Sequence, residues 1–292
     1  MFDYATAFSR NLGLISEDEQ GKLRETCVAI AGMGGVGGAH ALALARLGVG
    51  HFRIADLDVF ELANMNRQFG ATLSALGKEK TSVLMDLIKE INPTAEVTCF
   101  NEGVNPQNAE AFLSGAQVAI DGIDFFTIGP RRLLYKTARR MGIPVMLAAP
   151  VGFGATLHCF SAAGMSFDDY FAIHDDMPKA EQVLMFGLGL TPRLLQRAYF
   201  SPARLNLEAQ TAPSLAPGVF LAAGFVAAEV ANLMIRRRPM KAVPHYLQFD
   251  PITRRLATGK LWLGNRNPIQ RLKKHWVFWR FPMLKQQCRG NL

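Results

Sequence analysis

The sequence reads as an α/β protein, a doubly wound and mostly parallel sheet that ends in antiparallel strands. Three observations predict this. Short apolar runs alternate with helix-patterned segments between residues 27 and 149. A glycine-rich turn, GMGGVG at 32–37, joins the first run to the first helix pattern. After Pro150 the alternation stops, and the runs at 151–160 and 245–261 read as an antiparallel strand and a hairpin.

The elements follow in order. CVAIA (27–31) is a buried strand, and AHALALARLGVG (39–50) is a helix rich in Ala and Leu, stopped by Gly48 and Gly50. HFRIADLD (51–58) is the second strand, which completes a βαβ unit. Residues 74–91 carry apolar side chains at helical spacing and end at Asn92-Pro93. AEVTCF (95–100), AQVAIDGID (116–124) and PVMLAA (144–149) are further strands, separated by helices over 109–114 and 130–141. Pro130 opens the second of these helices and Gly142 follows its end. Residues 161–213 are irregular, with helices opening at Pro178 and Pro192. A long apolar helix fills 214–235, and the hairpin turns around Asp250-Pro251. The pattern is Rossmann-like, with one integrated domain over 1–262 and a basic, aromatic extension over 263–292.

Composition narrows the classes. The chain has 292 residues, 49% hydrophobic and 19% charged, enough apolar material for a sizeable core and too little charge for a disordered chain. Its four cysteines are far apart with no C-x-x-C pair, so no zinc ribbon, dithiol motif or disulfide scaffold is expected. No basic region followed by an apolar run opens the sequence, so no signal peptide is read and a cytoplasmic location is expected. The apolar stretch 214–235 contains Pro217, glycines and Glu229, which favour a buried packing or dimer helix over a membrane span. Charge is unevenly spread: residues 236–292 hold 14 Lys/Arg and one acid, whereas the rest carries a net negative charge.

The glycine turn is the first chemical signal. Gly32, Gly34 and Gly37 have the G-x-G-x-x-G spacing, with Gly35 between them. Such a turn lets the backbone approach phosphate and aims a helix N-terminus at negative charge. Alone it says nucleotide, with NAD as the default. Asp56, 19 residues after Gly37 at a strand end, can accept ribose hydroxyls of NAD or ATP alike. Asp58 beside it either joins the site or caps the following turn. Asn64, Arg67 and Lys80 then favour ATP, because a triphosphate carries further charge that a planar guanidinium and an ammonium can neutralise. Asp124, at the end of a strand on the ligand edge of such a sheet, suits a Mg²⁺ ligand beside a triphosphate.

These residues resemble the ThiF-type, ubiquitin-activating-like adenylyltransferases, which include enzymes of molybdopterin and thiamine synthesis. The resemblance rests on GMGGVG (32–37), DLDV (56–59), NMNRQ (64–68), GKEK (77–80) and IDGID (120–124). FSRNLGLIS (8–16) resembles the family's arginine-bearing opening, and 216–235 its C-terminal dimer helix. The resemblance implies an ATP- and Mg²⁺-dependent enzyme, acting as a homodimer. A carboxylate, typically the C-terminus of a ubiquitin-like or sulfur-carrier protein, attacks the α-phosphate of ATP to give an acyl-adenylate. It places Gly34 against the nucleotide, Asp56 on the ribose, Asn64, Arg67 and Lys80 on the phosphates and Asp124 on the metal. Arg10 would reach the phosphates of a dimer partner.

Two departures stand out: there are no zinc-binding cysteine pairs, and no cysteine lies at 161–176, where a thioester-forming residue belongs. Zinc is therefore not expected, and Cys159, on an apolar strand, reads as inert. Phe125 also stands where many relatives have Asn. Arg10 could instead cap a helix or pair with Glu17. A tRNA-modifying relative that dehydrates a carbamoylated adenosine, a non-catalytic nucleotide-binding partner and an NAD oxidoreductase are the competing functions. Nucleic acid is a possible but not favoured partner. The tail fits docking onto the body, stacking on single-stranded RNA or lying on an anionic membrane, and docking is favoured.

Overall fold

The computed structural model describes residues 1–201, 204–207 and 209–289. Its frame is one eight-stranded sheet in the order β3-β2-β1-β4-β5-β6-β7-β8. These strands are β1 (Cys27–Ala31), β2 (His51–Ala55), β3 (Glu96–Phe100), β4 (Val118–Asp121), β5 (Val145–Val151), β6 (Gly154–Phe160), β7 (His245–Asp250) and β8 (Arg255–Lys260). Strands β1 to β5 are parallel, and β6, β7 and β8 add antiparallel strands at one side. Strand β1 lies between β2 and β4, so the chain reverses its direction of winding beside the end of β1. Open α/β sheets bind ligands at such a point.

Alternation along the strands divides the core into two layers. Ala29 and Ala31 of β1 face one cluster, whereas Val28 and Ile30 face the other. One layer is closed by α3 (Gly35–Arg46), α4 (Lys80–Ile91) and α9 (Ala216–Ile235). The other holds α5 (Ala109–Leu113), α6 (Ile128–Arg140), α7 (Phe167–Phe171) and α8 (Lys179–Leu190). The two short N-terminal helices, α1 (Tyr4–Phe8) and α2 (Glu17–Arg24), sit near the C-terminal end of α3. There Tyr4 donates to the Gly48 carbonyl at 2.6 Å, and Gln20 to that of Leu47 at 3.1 Å.

Three local expectations are revised. The helix expected from Ser74 begins at Lys80, because residues 76–79 are drawn into bridges, Leu76 with Phe60 and Glu79 with Val59. Gly77, at φ +79°, makes the turn between them. The helix expected after Pro192 is a single 3₁₀ turn, Leu195–Ala198, preceded by Leu194 in the left-handed region at φ +47°. Helix α6 starts at Ile128, so Pro130 is its third residue.

The long apolar helix is partly a core element. Val219, Ala222, Val226 and Val230 of α9 are fully buried. Its Glu229, also buried, is satisfied by Asn232 at 3.4 Å and by an ion pair with Arg238. By length and composition α9 is the one helix among the described residues that could cross a membrane. Its buried face instead packs on α3, β5 and β6. The tail docks on the body. Helices α10 (Pro268–Arg280) and α11 (Pro282–Arg289) bury Val277, Leu284 and Cys288 against α8. Gln270 donates to the Leu188 carbonyl at 3.0 Å, and Lys274 pairs with Glu181.

Candidate active site

The glycine turn is set by close packing rather than by composition. Gly32 has φ +89°, and a Cβ there would stand 2.2 Å from the Gly122 carbonyl oxygen. A Cβ on Gly37 would stand 1.7 Å from the Gly32 carbonyl oxygen. These two glycines let β1, the turn and the loop after β4 touch backbone to backbone. Gly34 differs. It is the N-cap of α3 at φ −72°, and a Cβ there meets only Gln68 Nε2 at 3.5 Å. Neither it nor Gly35 is required by internal packing, so the space at the head of α3 is the part of the turn left for something else. The α3 dipole and its free amides face that space.

Asp56 organises the turn. Its two carboxylate oxygens accept from the Met33 amide at 2.5 Å and the Asp58 amide at 2.9 Å. Burial raises its pKa, opposed by the nearby Lys80 ammonium and both amides. Lys80 opens α4 with its side chain only 7% exposed, and its Nζ donates to Asp58 Oδ2 at 2.9 Å. The two neighbours in GKEK thus part company: Lys78 is exposed, and Lys80 is a buried cation between two carboxylates.

The NMNRQ segment lies against the head of α3. The Cγ of Arg67 is 3.9 Å from the Cβ position of Gly35. Its guanidinium donates to the Ala63 carbonyl and Asn66 Oδ1, at 3.0 and 2.9 Å. Asn64 accepts from the Glu61 amide at 3.0 Å and so folds the 3₁₀ turn that presents Arg67. Asn66 ties the segment to the Ser214 carbonyl at 3.0 Å, just before α9. Gln68 is buried, and its Oε1 meets no donor among the described residues.

Asp124 is exposed in the loop after β4, on the same sheet edge as Gly32. One of its oxygens accepts from the Phe126 amide at 2.9 Å. No group of three metal-ligating side chains forms among the described residues. A single free-standing carboxylate suits Mg²⁺, which takes most of its ligands from phosphate and water. Arg10 is not brought to this cluster. The adjacent Asn11 donates to the Leu47 carbonyl at 3.4 Å, at the far end of α3, and 12 residues of helix place that end about 18 Å from the glycine turn.

Sequence reasoning missed the support of the Asp124 loop. Asp121, fully buried at the end of β4, accepts from Arg131 Nε at 2.8 Å, Tyr135 at 3.1 Å and the Ile123 amide at 3.1 Å. The Arg131 guanidinium also donates to the Asp124 and Ile123 carbonyls and lies 4.3 Å over the Phe186 ring. Phe125 packs on Phe126 and Phe186, with ring centroids 5.1 and 5.6 Å apart. It is a packing group that fixes the loop to α8. The Asp121 carboxylate was visible in IDGID, but its partner lies ten residues on and only the fold joins them. Cys159 is buried in β6, where burial pushes its thiol well above the usual range.

The chain matches known proteins in sequence and in fold. The model of the ThiF family matches residues 8–269. A tRNA threonylcarbamoyladenosine dehydratase of Haemophilus influenzae is 36% identical over 112 residues, 38% of this chain and 43% of that protein. The sulfur carrier protein ThiS adenylyltransferase of Escherichia coli is 30% identical over 152 residues, 51% of this chain and 60% of that protein. The chain thus spans about half the length of the curated relatives it matches. Among solved structures, that of PaaA superposes with a TM-score of 0.66 at 22% identity, covering 88% of this chain and 73% of that one, which establishes the same fold.

Proposed function

The chain belongs to the ThiF family, and from that premise we propose that it is an ATP-dependent adenylyltransferase that activates a carboxylate as an acyl-adenylate. The substrate in this reading is the C-terminus of a ubiquitin-like or sulfur-carrier protein. A carboxylate oxygen attacks the α-phosphorus, the bond from that phosphorus to the bridging oxygen breaks, and pyrophosphate leaves. The observation that carries the reading is the head of α3. Gly34 and Gly35 are open there, Arg67 lies beside them and Lys80 is held behind Asp58.

In this reading the amides of Gly34 and Gly35 and the α3 dipole hold phosphate. Gly32 and Gly37 set the turn, Asp56 and Asp58 face the ribose, and Arg67, Asn64 and Lys80 line the phosphates. Asp124 would hold Mg²⁺, which when bound neutralises phosphate charge. The attacking carboxylate is already ionised at neutral pH, so the work is positioning and charge neutralisation. Arg10, remote from its own glycine turn, would act on the site of a partner subunit in a cytoplasmic homodimer. Without a thiolate in reach, the adenylate passes directly to an acceptor.

A second reading is supported by the dehydratase relatives, which match at slightly higher identity than the adenylyltransferases. There the activated carboxylate belongs to a modified tRNA. ATP–pyrophosphate exchange separates the two, with a sulfur-carrier protein and threonylcarbamoyladenosine-bearing tRNA as the alternative carboxylates. Exchange with the carrier alone supports the first reading, and exchange with the tRNA alone replaces it with the second. Tight NAD binding with no ATP binding, by calorimetry, would overturn both. Asp124→Ala should abolish metal-dependent exchange at unchanged melting temperature.

A further inference from the structure

We propose that α10 is an interfacial helix that lays the molecule on an anionic lipid surface. The observation is a stripe of large apolar side chains that docking of the tail leaves in solvent. Val277 and Gln270 face the body, whereas Ile269, Leu272, Trp276 and Trp279 are 63%, 69%, 46% and 76% exposed. At 100° per residue these four fall within an arc of about 80°, opposite the docked face. Met283 on α11 and Trp262, which precedes α10, are also exposed, at 45% and 62%. An apolar surface this continuous marks a contact site.

Charge identifies the occupant. Residues 266–292 hold seven Lys/Arg and no acid. Lys273 and Lys274 are spent on the body, through the Pro192 carbonyl and Glu181. Arg271 and Arg280 flank the stripe on its two sides, and Lys285 follows on α11. All three are exposed, and none donates its side chain to an acceptor among the described residues. A helix with cations beside a band of Trp, Leu and Ile matches the boundary between anionic headgroups and acyl chains. Tryptophan is favoured there because its ring is apolar and its N–H stays wet.

Two other occupants fit less well. Single-stranded RNA is held by stacking on flat rings, and Ile269 and Leu272 offer none. A second copy seated on the same stripe would bring Arg271 and Arg280 of both chains together with no facing acid. The proposal is independent of the adenylation site.

The full chain is mixed with vesicles of phosphatidylcholine containing about 30% phosphatidylglycerol and sedimented. It should bind these, bind pure phosphatidylcholine vesicles about tenfold less, and release at high salt. The W276S/W279S variant should bind about tenfold more weakly at unchanged melting temperature and ATP affinity. R271E/K285E, which leaves the stripe intact, should weaken binding to the anionic vesicles several-fold. The proposal is overturned by failure of the full chain to bind the anionic vesicles, or by either variant binding them as tightly as the unmodified chain does. It also falls if the tryptophan variant instead loses poly(U) binding or dissociates a dimer while the full chain ignores vesicles.

Discussion

The glycine turn shows how one residue type serves two purposes within six positions. At Gly37 a methyl group would collide with the Gly32 carbonyl, so Gly37→Ala must displace the start of α3 from β1. At Gly34 the same methyl meets an amide nitrogen at ordinary contact distance. Gly37→Ala should therefore lower the melting temperature and lose ATP, whereas Gly34→Ala should keep its stability and lose ATP affinity only. Calorimetry in both senses, differential scanning and titration, checks the pair. A second residue-scale expectation concerns pH. His40 and His158 are fully buried, and burial lowers each pKa to about 3. Their folded-state values lie below the unfolded one near 6.5, so the stability they permit is complete above that pH. It is lost as pH falls from about 6.5 toward 3, at about 1.4 kcal/mol per pH unit for each ring. His40→Leu removes one of these protonations, so the stability gap between pH 7.5 and pH 5 should narrow by more than 1 kcal/mol, about one ring's share, in urea titrations.

Elements were legible where their cause is local, and illegible where it is tertiary. The order of strands and helices through 27–160 follows from alternation and turn chemistry, and GMGGVG marks the ligand edge by itself. The segment 74–79 carries a helical pattern, yet Gly77 donates to the Phe60 carbonyl and Lys78 accepts from the Phe60 amide, a partner that no local pattern names. Lys80 shows the same division. Its place in GKEK suggested a cation for phosphate, but its burial against Asp58 depends on α4 starting there. The Arg131–Asp121 pair was hidden for the same reason, and it has an energetic consequence. Arg131→Ala strips a buried carboxylate of its counter-charge and frees the Asp124 loop from α6 and α8. A destabilisation of about 3–5 kcal/mol is expected in urea titrations, with weaker Mg²⁺-dependent exchange at temperatures where the variant is folded.

At the scale of the whole molecule, α9, like α10, is an element whose burial is unfinished. One face closes the core, but Phe220 is 58% exposed and leans on Phe69 with ring centroids 4.6 Å apart. Phe69 follows NMNRQ directly, so a subunit docked on this face would arrive beside Arg67 and the head of α3. Asn11, the neighbour of Arg10 in the same chain, is bonded at the opposite end of α3, a helix about 18 Å long. A two-fold dimer through α9 would complete each site with the other chain's arginine. Phe220→Lys should then yield monomers by light scattering and weaken ATP binding without unfolding. A mixing experiment tests the shared site more directly. Arg10→Ala and Arg67→Ala homodimers should each bind ATP poorly. After subunit exchange half of the dimers are mixed, and each of those has one site with both arginines intact. About a quarter of all sites should recover full affinity, read as stoichiometry in a titration, whereas an Arg10 that acts only within its own chain restores none.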